Sequence, residues 1–236
     1  MGETILDLRD APASRVQSTA FYALKELRRS ARVILLTAQE PSLMMQSLDL
    51  QLRHNLAWSV SAAECGWRVE VRHRADVAPR DVVDLLMGDH QRLDGLLARA
   101  MRLVDQDEVG AAAPLLREFA AALERHIGIE DETLAPRLSP AGEERDAGAA
   151  AIMRREHREI AGQLAVIGAC LATEPPEAAE IGAFCSILSG TLAKHEYREE
   201  NDLFPLWRGA WARQPQAQRE EMMTRVQAVL GEGGSV

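Results

Sequence analysis

HIGIEDETLAPRL (residues 126–138) and HEYREENDLFPLW (195–207) are one pattern written twice. Both run His-x3-Glu, then leucine at the eighth position after the histidine and proline at the tenth, at an offset of 69. His90 and His157 lie 67 apart, nearly the same spacing. Working outward, residues 79–236 are dominated by Ala, Leu, Glu and Arg, and apolar residues recur at helical spacing. This predicts helices over 80–104, 108–133, 141–172 and 176–202, with a short terminal helix over 215–230. Pro136 and Pro140 break the second from the third. Pro175 and Pro176 break the third from the fourth, which Thr173 would cap, and Pro205 ends the fourth. Four long helices with short connections predict an all-α up-down four-helix bundle, built as two copies of a helix hairpin.

Four of the six histidines fall one per helix: His90, His126, His157 and His195. Each sits in the apolar stripe of its helix. His90 follows Leu86 and precedes Leu93 and Leu97. His126 follows Phe119 and Leu123. His157 lies between Met153 and Ile160, and His195 follows Leu188 and Leu192. Those offsets share one helical face, so all four imidazoles should point into the bundle. Two carry a carboxylate four residues on, Glu130 and Glu199, about 6 Å along the axis on the same face. A single inward histidine is most often a hydrogen-bonded core residue, and a single His-x3-Glu pair is most often a solvated ion pair. Six such residues in symmetric positions are different, because buried carboxylates are costly unless paired or bound to a metal. No cysteine joins the set, which argues against a structural thiolate zinc site. Imidazole with carboxylate suits iron or manganese, and iron fits the nitrogen-rich set better.

The first 75 residues have a different grammar. Strands are expected over 4–8, 32–37, 56–62 and 67–73, and helices over 14–29 (capped by Ser14) and from Pro41 to about residue 53. Glu64-Cys65-Gly66 is the turn between the last two strands. The order β-α-β-α-β-β predicts an α+β two-layer sandwich, two helices on one face of a four-stranded sheet. The expected division is a domain over 1–75, a linker over 76–81 and the bundle over 82–236.

The 236 residues are 47% hydrophobic and 27% charged, an ordinary globular composition. No run of about 18 apolar residues predicts a membrane span, and Met1-Gly2-Glu3-Thr4 does not open a signal peptide, so a cytoplasmic location is the expectation. Residues 1–78 carry 10 basic and 9 acidic side chains, and residues 79–236 carry 17 and 27. The acidic second part repels phosphate backbones, and the first has no basic patch, so nucleic acid is not an expected partner. Cys65, Cys170 and Cys185 lack CxxC spacing and read as reduced thiols.

With Asp89-His90, His126-x3-Glu130, Glu156-His157 and His195-x3-Glu199 followed by Leu203-Phe204-Pro205, the chain resembles the hemerythrin-like, HHE cation-binding family over about residues 82–207. The resemblance implies two non-haem iron ions, His90 and His126 serving one and His157 and His195 the other. Glu130 and Glu199 would bridge them, with an oxo or hydroxo group between. Oxygen-carrying members have a further histidine one turn after the third-helix histidine; here that position is Ala161. The four-histidine, two-glutamate set is closer to the repair-of-iron-centres type. Residues 4–73 resemble the TusA-like sulfur-carrier domains, but the stretch Leu8-Arg9-Asp10-Ala11-Pro12 lacks their cysteine.

Together these imply a di-iron protein that reacts with nitric oxide or oxygen in nitrosative or oxidative stress, or in repair of iron centres. The alternatives are a sensor of oxygen, iron or redox state signalling to a protein partner through the first domain, and oxygen storage. No catalytic side chain stands out. Asp131, Glu132 and Glu200 read as a solvated acidic face, Glu196 as facing away from His195, and Trp58, Trp67, Tyr197 and Cys185 as packing or surface residues. His54 and His73 read as surface or strand-edge residues, and the tail after Gly231 as frayed.

Overall fold

Strand β1 (Glu3–Asp7) and strand β2 (Arg32–Thr37) pair in parallel, Glu3 opposite Arg32 and Asp7 opposite Leu36. The structure is a computed structural model that describes residues 3–52, 55–139 and 148–231. The expectations for Met1, Gly2, His54, Pro140, the start of the third bundle helix and the tail after Gly231 lie outside the described residues. The chain divides between Pro79 and Arg80 into two compact units.

In the first unit, helices α1 (Ala13–Lys25) and α2 (Ser42–Gln51) alternate with the strands, and β3 (Leu56–Ala63) and β4 (Gly66–His73) form a hairpin. The sheet order is β1-β2-β4-β3, with β4 antiparallel to both of its neighbours. Register follows the period-two pattern. Val33 and Leu35 of β2 and Val69 and Val71 of β4 turn to one side, where they pack with Ala20 and Leu24 of α1 and Met45 and Leu48 of α2. Trp58 packs against this core. The hairpin turn needs its glycine. Gly66 has φ +97°, and a Cβ there would lie 2.2 Å from the Thr37 carbonyl oxygen. Helix α1 starts one residue before the expected cap, behind Pro12 and without a side-chain cap from Ser14.

The described residues of the second unit form helices and no strand. Helix α3 (Val82–Asp105) begins at Asp81, whose side chain accepts a hydrogen bond from the Asp84 amide at 2.8 Å. Helix α4 (Val109–Gly128) runs into α5 (Ala135–Leu138), α6 (Ala149–Leu171) follows, and α7 (Ala178–Arg198) runs into α8 (Phe204–Ala212); α9 (Gln216–Gly231) packs on α3 and α4. Among the bundle helices, α3 packs against α4 and α7, and α6 against α7 and α4. Thr173 does not cap α7. That helix starts after Glu177, and the Thr173 hydroxyl donates back to the Cys170 carbonyl at 2.7 Å.

Pro136 and Pro205 do not simply end their helices. In each repeat a wider, π-helical turn follows the bundle helix, Ile129–Leu134 in one and Glu199–Leu203 in the other. The prolines then sit in the first turn of α5 and α8, where a missing N–H costs little. The widened turns close with Ala135 N–H donating to Glu130 O and Phe204 N–H to Glu199 O. Among the described residues no helix is long and apolar enough to cross a membrane.

Candidate metal centre

Two apolar clusters fill the bundle, one around Leu93, Leu123, Ile160 and Leu192, the other around Met87, Ile129, Met153 and Leu203. Each of the four stripe histidines lies in sequence between a member of one cluster and a member of the other. Residue spacing thus stacks the imidazoles in one polar layer between two dry ones. Exposure is 4% at His90, 1% at His126, 2% at His157 and 3% at His195. Glu130 and Glu199 are 0% and 2% exposed. All six predicted residues are brought together.

The inner nitrogens face the carboxylates. His126 Nε2 lies 3.4 Å and His157 Nε2 3.3 Å from Glu130. His195 Nε2 lies 3.2 Å and His90 Nε2 3.4 Å from Glu199. His90 Nε2 and His126 Nε2 are 3.1 Å apart. Ligand-capable atoms fall into two groups, each within 4.8 Å: His90, His126, Glu130 and Glu199, and Glu130, His157, His195 and Glu199. Both carboxylates belong to both groups. All four carboxylate oxygens and His157 Nε2 are shut off from water without a hydrogen-bond partner. Leaving so many buried polar atoms unsatisfied is expensive, and cations between them would satisfy them. Cys170 and Cys185 are buried in the apolar cluster away from this layer, and Cys65 is exposed on the β3–β4 turn.

The outer nitrogens show a second symmetry. His126 Nδ1 lies 2.9 Å from Asp89 and His195 Nδ1 2.9 Å from Glu156, the acidic residues preceding His90 and His157. His157 Nδ1 lies 3.0 Å from Asp131 and His90 Nδ1 3.2 Å from Glu200, the residues following the two inner glutamates. A carboxylate that accepts the Nδ1 proton leaves Nε2 to face inward as a metal ligand. Asp131 and Glu200 are therefore not a solvated face. The widened turns present consecutive carboxylates to different helices, the first inward and the second onto a neighbouring histidine. The sequence signal for these four residues was the repeat itself, which places an acidic residue before His90 and His157 and after Glu130 and Glu199. Arg92 Nε holds Asp89 at 2.7 Å, and Arg198 pairs with Glu156. Glu132 is exposed, as is Tyr197.

Glu196 also departs from expectation. It lines a small void with His90, His126 and His195, and burial, reinforced by Asp94, Glu200 and Glu199 against His90, pushes its carboxyl up to about 7.

Charge in the metal-free layer is strongly coupled. Burial works against the protonated imidazoles, but Glu130 and Asp89 outweigh it at His126, raised to about 9. Asp131, Glu130 and Glu199 outweigh it at His157, raised to about 11. Burial would raise Glu130 and Glu199, yet the imidazoles hold both below the usual carboxylate value. The sign for stability follows. His126 keeps its proton to about 9 when folded but only to 6.5 otherwise, so its contribution is complete below 6.5 and lost as pH climbs to 9. The lowered glutamates contribute above 4.5 and lose that contribution as pH falls. The melting temperature of the chelator-treated chain is expected to decline from about pH 6.5 to pH 9; a melting series would check it, and a rise over that window would contradict it.

No curated protein and no solved structure matches the chain. A family model, the hemerythrin HHE cation binding domain, matches residues 81–207. That stretch is just over half of the chain and contains every residue of the histidine–carboxylate layer, so the chain belongs to the hemerythrin HHE cation-binding family.

Proposed function

We propose that the layer holds two iron ions, His90 and His126 on one, His157 and His195 on the other, with Glu130 and Glu199 shared, and that the centre reacts with nitric oxide or oxygen. The observation that carries this is the membership of both carboxylates in both ligand groups. Reduced iron held there would supply electrons and open positions for a diatomic ligand. The chain's own residues aim four Nε2 atoms inward, hold their Nδ1 protons on Asp89, Asp131, Glu156 and Glu200, and keep bulk water out with the apolar layers on either side. Ala161 leaves the second histidine pair without a third imidazole, which favours a reactive centre in stress response or iron-centre repair, acting in the cytoplasm, over oxygen carriage.

The test is to load the chain with ferrous iron without air, record its optical spectrum after an oxygen pulse, and record it again after oxygen is withdrawn. A ferric spectrum that persists is expected, as is a new visible band when nitric oxide meets the ferrous chain. A spectrum that reverts with oxygen would point to storage or carriage. No change with either gas would overturn the reading.

A second reading, sensing, draws on the first unit. Its sequence resembles the TusA-like carriers but lacks a cysteine in the loop before α1, and it has a cavity of about 350 Å³ where β1 and β2 lead into α1 and α2, bordered by Arg9, Thr37, Gln39 and Met44. In this reading the unit docks a partner and transfers no sulfur.

A further inference from the structure

Among the described residues, two cavities border the histidine–carboxylate layer, and they differ in size. The void beside Glu196 has a volume of about 10 Å³, room for one water molecule. The other, of about 140 Å³, lies between α6 and the widened turn after α7. Ile152, Met153 and Leu203 form its apolar wall. Its polar residues are Glu156, Arg198, Glu199 and Asp202. Three carboxylates against one guanidinium make it a negative pocket. Asp202 is exposed at its mouth, while Glu199 is 2% exposed and neither of its oxygens accepts a hydrogen bond.

The internal repeat sets the residues of this cavity against counterparts in the other half. Aligning His195 with His126 sets Arg198 against Ile129 and Asp202 against Thr133. Ile129 and Thr133 are 3% and 4% exposed. The two copies share their ligating residues but diverge at these two positions, buried Ile129 and Thr133 in one copy and exposed Arg198 and Asp202 in the other.

We propose that this cavity is the entry site for divalent metal ions, Asp202 drawing a hydrated cation to the mouth and Glu199 being the first buried carboxylate it meets. A divalent ion keeps its water until protein oxygens replace it. The larger cavity has space for that exchange, and the one-water void does not. The net negative lining concentrates cations and speeds their arrival. Arg198, held on Glu156, offsets part of that charge at the rim. The inference rests on the metal-centre reading above.

The test uses the full chain, stripped of metal by chelator and mixed rapidly with cobalt(II) alone, whose visible absorption on binding reports uptake. Asp202→Asn is expected to slow uptake about three- to tenfold at low salt and Asp202→Lys further. Both differences should shrink in high salt, because the attraction is screened. Final cobalt content should equal that of the unaltered chain, since Asp202 is not among the proposed ligands. Asp94→Asn, beside the smaller void, should load at the unaltered rate. Asp202 variants that load as fast as the unaltered chain, or slowing by Asp94→Asn instead, would overturn the entry site while leaving the centre standing. An unaltered chain that takes up no cobalt would overturn the centre and the entry site together.

Discussion

Glu130→Ala is expected to leave the chain unable to hold either metal ion. The carboxylate lies 3.4 Å from His126 Nε2 and 3.3 Å from His157 Nε2, so it is the one side chain placed between a histidine of each pair on that side of the layer. It is fully buried, and neither of its two oxygens has a hydrogen-bond partner. Removing an outer partner should cost less. Asp131→Asn keeps a hydrogen-bond acceptor near His157 Nδ1 but removes the charge, and changes of that kind typically weaken metal binding about 10- to 100-fold. Glu130→Ala should exceed that range. Chelator competition with metal analysis, read beside the melting temperature with and without metal, orders the variants. Metal binding to the folded state alone raises the melting temperature of the unaltered chain. That rise should persist in part for Asp131→Asn and vanish for Glu130→Ala. Equal losses for the two variants, or a Glu130→Ala chain that still loads both ions, would contradict the shared-carboxylate arrangement.

Trp207→Ala carries the second large effect, this time on stability. Trp207 is 0% exposed in the apolar cluster that covers one side of the histidine layer. Its ring lies 5.8 Å from that of Phe204, and Phe204 in turn stacks on His90 with ring centroids 5.8 Å apart. Its indole N–H donates to the Ser139 hydroxyl at 3.1 Å, tying α8 to the end of α5. Truncating a buried aromatic side chain of this size costs about 3–5 kcal/mol. At about 2–4 °C per kcal/mol for a unit of this length, the melting temperature should fall by about 6–20 °C. Trp207→Phe fills most of the space while losing the hydrogen bond and a little volume, so it should recover most of that drop. Thermal unfolding of the metal-free chain measures both. The metal-loaded chain should also bind more weakly in Trp207→Ala, because the ring that supports His90 loses its own support. A drop of less than about 2 °C, smaller than one kcal/mol would produce, would mean the cluster closes over the gap and does not brace the layer.

The two halves of the chain announced themselves through different periodicities. Alternation in residues 67–73 decided which side chains of β4 meet α1 and α2, because a one-residue slip would expose Val69 and Val71 together, whereas the continuous apolar run in residues 32–37 marked a buried strand without choosing its face. The 3.6-residue spacing of leucines around His90, His126, His157 and His195 turned all four inward, since a helix has one face to bury. The duplicated His-x3-Glu pattern then paired the helices and made Glu130 and Glu199 equivalent. Those inferences need only local geometry and the cost of exposing apolar surface.

What lay beyond the sequence depended on distances between helices. Asp131 and Glu200 follow buried glutamates, and on an ideal helix each would turn about 100° away from its predecessor. Only the widened turns at Ile129–Leu134 and Glu199–Leu203, set against the facing helices, bring them onto His157 and His90. Pro136 and Pro205 read as helix ends by local rule, yet the same turns let the chain continue helically past them. Its angle of about 100° from His195 along a helix points Glu196 outward, but α3 supplies the opposite wall of the void it lines beside His90. Spacing along one chain therefore determined which residues are buried together, whereas the packing of one helix against another decided which nitrogen each carboxylate touches, because hydrogen bonds depend on tenths of an ångström that residue spacing alone does not specify.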